Sequence, residues 1–139
     1  MKLSTRNQLK GTVASITKGV VNSEVVIQLP GKSQIVSIIT NGAVKNLELE
    51  EGSKVIALIK ASNVMLGIEV GKISARNVLC GKVTSVNEGA VNTEVLVDLG
   101  DGCSITSVIT KMSAQNLGLT KDVKVCAIVK ASSVIVAVE

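Results

Sequence analysis

The segment QIVSIITNGAVKNLELEEGSKVIALI, residues 34–59, decides the fold. Within Gln34 to Thr40, Ile35 and Ile39 share one face while Val36 and Ile38 take the other; within Lys54 to Ile59, Val55, Ala57 and Ile59 oppose Ile56 and Leu58. Both stretches read as strands buried on two faces. Between them, Asn41 to Leu47 breaks the two-residue alternation, begins with a capping-type Asn and spaces Val44 and Leu47 three apart, which predicts a single helical turn. Outward from this segment, apolar runs bounded by Gly, Asn and Pro predict strands at Gly11 to Ile16, Ser23 to Leu29 and Val64 to Leu66. Five short strands with a helical turn between the third and fourth make the pattern of an OB-type barrel, with the helix plugging one end.

The whole unit is written twice. Shifting the chain by 70 positions aligns Ser4-Thr5-Arg6-Asn7 with Ser74-Ala75-Arg76-Asn77 and Lys60-Ala61-Ser62 with Lys130-Ala131-Ser132, and roughly 29 of 69 aligned pairs are identical. The expected fold class is therefore all-β, with two tandem OB-fold-like five-stranded barrels, each with a short helix, over residues 1–69 and 70–139. The boundary falls near Glu69 to Lys72, and a linker this short forbids independent tumbling. A barrel of this size built without aromatic rings has a thin core, and such units usually need a staple such as oligomerisation. Burying the outer faces between subunits is the simplest staple.

Composition removes several functions. Of 139 residues, 46% are apolar and 19% charged, and none is Phe, Tyr, Trp or His. Without His the commonest general base and the usual partner of a Ser or Cys nucleophile are missing, so the chain is expected not to be an enzyme. Nucleic-acid-binding OB modules stack bases on aromatic rings, which disfavours that alternative. Cys80, Cys103 and Cys126 form no CxxC pair, so zinc and haem are excluded and the three are expected to be reduced, buried or half-buried thiols with no function. No run of 18 uncharged apolar residues exists, and Met1 to Gly11 carries Lys2, Arg6 and Lys10 without a signal-peptide pattern. A soluble, cytoplasmic protein with no membrane or nucleic-acid partner is expected. The net charge of +4 is dispersed and permits an anionic partner.

The polar residues that recur are hydrogen-bond donors: Ser4, Arg6 and Asn7 at the start of the unit, Thr40 in its middle, and Lys60 with Ser62 near its end. A tetrahedral dianion in a dehydrated site needs several donors and partial charge neutralisation, which Arg, Lys, hydroxyls and backbone N–H groups supply. A site with donors and no acceptor penalises phosphate, which keeps a proton much of the time near pH 7. The competing reading is that an Arg or Lys at a strand end is a surface charge and a Ser or Thr there a turn cap. Glu24 with Glu94, and Glu69 with Glu139, also recur, but as isolated carboxylates read as solvated or salt-bridged. Gly19-Val20-Val21-Asn22 and Gly89-Ala90-Val91-Asn92 read first as turns between strands one and two, and secondarily as backbone anion nests.

At these residues the chain resembles the molbindin family. Ser-Thr-Arg-Asn-Gln-Leu-Lys-Gly at 4–11 and Ser-Ala-Arg-Asn-Val-Leu-Cys-Gly at 74–81 are similar to the opening Ser-Ala-Arg-Asn-Gln-Leu-x-Gly signature of molbindin domains, and the Gly19 to Val25, Ile38 to Thr40 and Lys60 to Ser62 stretches follow in the family's order. The resemblance implies OB-type barrels and trimers of two-domain chains that sequester molybdate or tungstate in the cytoplasm, with no further cofactor. It also implies that Ser4, Arg6, Lys60, Ala61 and Ser62, with Ser74, Arg76, Lys130, Ala131 and Ser132, line the main sites across interfaces, accompanied by Thr40 and Thr110. Secondary oxyanion sites near the oligomer axis would use Gly19, Val20, Val21 and Asn22, with Gly89, Ala90, Val91 and Asn92. Thr5 replaces the usual Ala, Val78 replaces Gln, and Cys80 fills the variable position. The expected function is storage and homeostasis of these oxyanions; the alternatives are an anion-sensing interaction subunit or an OB-type nucleic-acid module.

Overall fold

The computed structural model describes residues 1–139. The first repeat forms β1 (Asn7–Lys18), β2 (Asn22–Gln28), β3 (Gln34–Thr40), α1 (Asn41–Asn46), β4 (Lys54–Ile59) and β5 (Met65–Gly67). The second forms β6 (Asn77–Glu88), β7 (Asn92–Gly100), β8 (Cys103–Thr110), α2 (Lys111–Asn116), β9 (Lys124–Val129) and β10 (Ile135–Ala137). Short 3₁₀ turns, Ala61–Asn63 and Ala131–Ser133, precede β5 and β10. The all-β, two-barrel expectation holds.

β1 outruns its expected length at both ends because it serves two partners. Asn7 to Thr12 pairs with β4, and Thr12 to Lys18 pairs with β2, with a register shift between Val13 and Ser15 where the strand bends. Gly11 lies two residues before this shift, where β1 passes close to the end of β2 and an added Cβ would sit 2.5 Å from the Gln28 carbonyl; Gly81 meets Asp98 in the same way. The packing explains why the repeat retains glycine at this point.

The last strand of each repeat completes the sheet of the other. One sheet runs β10-β4-β1-β2-β3 and the other β5-β9-β6-β7-β8, all antiparallel. Each sheet closes on itself through a buried serine: Ser37 Oγ donates to Val134 O at 2.6 Å, and Ser107 Oγ donates to Val64 O at 2.5 Å. One hydrophobic cluster runs through both repeats, from Val13, Val25, Ile27, Ile35 and Ile59 to Val83, Val95, Ile105 and Val129. β4 is buried from Val55 to Ile59 on both faces, as its composition predicts. The repeats form a fixed pair by exchange, which the linker argument did not foresee.

Two expectations need correction. The helix cap is Thr40 and not Asn41: Thr40 ends β3 in extended conformation, and its Oγ1 accepts from Ala43 N at 3.0 Å. Asn41 is already helical and instead donates through Nδ2 to the carbonyls of Gly19 and Val20, while accepting from Ser23 Oγ. The cysteines are not three reduced thiols. Cys80 and Cys126 stand opposite each other on β6 and β9 and are joined in a disulfide; only Cys103 is free, and it is buried. Their separation of 46 residues concealed a pair that strand register brings together. Burial, followed by the nearby Asp98 carboxylate, raises the Cys103 pKa and keeps it a thiol.

Candidate functional site

In the first repeat the β1–β4 ladder ends at the pair Asn7 with Ile59, so Arg6 and Lys60 lie one step beyond it on neighbouring strands. Thr5 fastens the incoming arm there by donating from Oγ1 to Ile59 O at 2.9 Å, and Gln8 Nε2 donates to Thr5 O at 2.9 Å. Beyond Lys60 the chain enters the Ala61–Asn63 turn, whose opening amides have no acceptor within the turn. The result is a cavity of about 500 Å³ lined by Ser4, Thr5, Arg6, Lys60, Ala61 and Ser62, with apolar walls that include Leu58, Val108 and Ile135. Val108 lies on β8 and Ile135 on β10, so the second repeat supplies part of the wall. Two cations, the Ser4 and Ser62 hydroxyls and backbone amides beside an apolar wall are the donor set for an oxyanion, the Thr5 hydroxyl already donating to Ile59 O.

Arg6 is also ion-paired with Glu94 of the second repeat, and Arg76 is paired with Glu24 of the first at 2.7 Å. The Arg76 hydrogen bond holds the Glu24 carboxyl below its ordinary pKa, and Glu24 in turn raises that of Arg76. Of the recurring glutamates, Glu24 and Glu94 are thus salt-bridged. Both pairs remain largely exposed and contribute little to stability.

The second repeat repeats the geometry of the ladder, since Asn77 pairs with Val129 and Arg76 and Lys130 lie one step beyond that pair, with Ser74 two residues before Arg76 and Ala131 and Ser132 directly after Lys130 in the chain. Its arm lacks the two fastening bonds, because Ala75 and Val78 replace Thr5 and Gln8. Thr40 and Thr110 fall elsewhere. They cap α1 and α2 and pair in register with Asn22 and Asn92, so they join the turns Gly19 to Asn22 and Gly89 to Asn92 at the helical end. Each turn closes by a 2.8 Å bond from Gly19 N to Asn22 O or from Gly89 N to Asn92 O, with Val20, Val21 and Val91 exposed. Asn7 and Asn77 are buried and bond to the opposite repeat, so they are structural. The contributions of Thr5, Val108 and Ile135 could not be read from the sequence; that of Glu94 was signalled by its recurrence.

The TOBE domain model matches residues 3–66 and again 73–136. The chain belongs to the TOBE-domain family. Its tandem TOBE arrangement is of the molbindin type that the opening motif resembles. It is 46% identical over 139 residues to the molybdenum transport protein ModE of Azotobacter vinelandii, and 46% identical to the molybdenum-pterin-binding protein MopA of Rhodobacter capsulatus. Those alignments cover 99% of the chain but 52% of each relative, so the chain spans about half the length of the curated relatives it matches. A single repeat is 49% identical over 69 residues to a probable molybdenum-pterin-binding protein of Haemophilus influenzae, covering all of that protein. The solved structure of the cytoplasmic molybdate-binding protein ModG, with molybdate bound, superposes with a TM-score of 0.96 at 40% identity, covering 100% of both chains.

Proposed function

We propose that this tandem TOBE chain binds molybdate or tungstate in the cytoplasm, for storage and homeostasis, with no catalytic step. The observation that carries this reading is the cavity joining Ser4, Arg6, Lys60, Ala61 and Ser62 in a fold that matches a molybdate-bound protein over its full length. Hydroxyl, guanidinium, ammonium and amide donors around one cavity stabilise a tetrahedral dianion and leave a protonated anion with an unpaired proton. Ser74, Arg76, Lys130, Ala131 and Ser132 form the second site, and the turns at Gly19 to Asn22 and Gly89 to Asn92 form secondary ones. A homo-oligomer, in the trimeric state expected of two-domain molbindins, covers the exposed Val20, Val21 and Val91 at those turns. No helix is long and apolar enough to cross a membrane.

A second reading is an anion-sensing subunit in which binding alters contacts with another protein. The Arg6–Glu94 pair between the repeats favours it, because an anion bound at Arg6 competes with Glu94 for the guanidinium. Calorimetric titration of anion-free protein with molybdate, tungstate, sulfate and phosphate, together with its solution mass, tests both. Saturable molybdate or tungstate binding at more than one site per chain, with sulfate and phosphate much weaker, is expected. Absence of saturation with every anion overturns the reading.

A further inference from the structure

We propose that Cys80 and Cys126 form a redox centre: a thiol–disulfide couple that exchanges with anionic low-molecular-mass thiols and sets the grip of the second-repeat anion site. The chemistry of the couple stands alone, while its effect on binding rests on the oxyanion reading above.

Three observations converge on this pair. First, it lines an open groove of about 330 Å³ with Glu69, Gly81, Lys82, Lys124 and Val125, and Cys80 is exposed, so a small thiol can reach the sulfur. Second, Lys82 follows Cys80 by two positions and Lys124 precedes Cys126 by two, which places both ammonium groups on the face of the disulfide; they are also register partners. Against the single Glu69 carboxylate in the groove, the two ammonium groups leave a net positive charge that stabilises a departing thiolate and draws in a thiol that carries carboxylates. The first repeat has Lys10 and Ile56 at the two positions, so the centre belongs to one repeat alone.

Third, the crosslinked strands carry the two halves of the second site. β6 begins directly after Ser74 to Arg76, and β9 runs directly into Lys130 to Ser132. In the first repeat the corresponding arm is fastened by Thr5 and Gln8. Ala75 and Val78 remove those bonds, and the covalent bridge ties the same two strands three register pairs in from the ladder end at Asn77 and Val129.

In the reductive direction a small thiolate attacks one protein sulfur, the S–S bond breaks and the other sulfur leaves as a thiolate. A second small thiol then attacks the mixed disulfide. The protein gains two electrons and, on protonation, two protons, while two small thiols become one small disulfide; oxidation by that disulfide is the reverse.

The test equilibrates the full chain with mixtures of reduced and oxidised glutathione, counts alkylated cysteines by mass, and titrates each state with molybdate. Two thiols beyond Cys103 should appear on reduction. Reduction by glutathione should slow about tenfold relative to reduction by uncharged 2-mercaptoethanol when Lys82→Gln and Lys124→Gln are combined. Molybdate affinity should fall roughly three- to tenfold on reduction at one class of site and stay constant at the other. The Cys80→Ser/Cys126→Ser variant should keep the reduced value at every glutathione ratio. Failure to form the bridge at any ratio, unchanged glutathione preference in the lysine variant, or equal molybdate binding in both states overturns the proposal. A working couple with no molybdate bound in either state refutes the oxyanion function, and the coupling with it.

Discussion

Asn7 and Thr106 exchange two hydrogen bonds across the repeats: Asn7 Nδ2 donates to Thr106 O at 2.8 Å, and Thr106 N donates to Asn7 Oδ1 at 2.7 Å. Asn77 and Val36 do the same at 2.8 and 2.7 Å. Each carboxamide behaves as one more strand residue, satisfying both backbone groups of a position on β8 or β3. Asn7→Ala removes both bonds and strands two partly buried backbone groups, so it should cost about 2–3 kcal/mol. Asn7→Asp keeps only the acceptor and brings a charge into a buried position, so it should cost as much or more. Urea midpoints with unchanged slopes would measure this; a loss under about 0.5 kcal/mol would mean that water replaces the amide.

Arg6→Ala and Lys60→Ala should each weaken molybdate binding by about 10- to 100-fold at first-repeat sites, the range of a charge-assisted hydrogen bond. Stability should move by no more than about 1 kcal/mol, since the Arg6–Glu94 pair is exposed. Calorimetry reports the affinity and denaturation the stability. Unchanged affinity in both variants would remove these two residues from the site.

Glu48 takes φ 51° directly after the α1 C-cap, and its counterpart Gly118 takes φ 62°. Its N–H reaches Lys45 O at 3.1 Å and that of Leu49 reaches Val44 O at 3.0 Å, so the left-handed residue closes the helix end. A side chain strains that conformation and glycine does not. Glu48→Gly should therefore stabilise by about 0.5–1 kcal/mol and raise Tm by about 2–4 °C, as a thermal melt would show. Gly118→Glu should have the opposite effect.

Residues 1–69 alone lack β9, on which β5 pairs, and β10, on which β4 pairs. Two copies can satisfy both needs by exchanging Met65–Gly67, so the fragment should sediment as dimers or multiples of dimers. A stable folded monomer would show that β5 can return to its own sheet. The full-length match of one repeat to the Haemophilus influenzae protein shows that this unit exists by itself.

The sequence by itself determined the duplication and the strand–helix–strand core, and it marked the candidate donors of the first repeat that line one cavity. Ile35, Val36, Ile38 and Ile39, and Val55 to Ile59, carry local periodicity, and periodicity is a property of neighbours in the chain. Ser4, Arg6, Lys60, Ala61 and Ser62 were legible because the spacing repeats, and the ladder ending at Asn7 and Ile59 brings them to one cavity. Thr40 carried too little information: a hydroxyl serves a helix cap or an anion equally well, and only the chain's path placed it beside the turn at Gly19 to Asn22. The exchange of β5 and β10 and the Cys80–Cys126 bridge were decided by tertiary structure alone. Hydrogen bonding between strands is indifferent to which repeat supplies the partner, and two cysteines 46 residues apart become neighbours only when register sets them opposite.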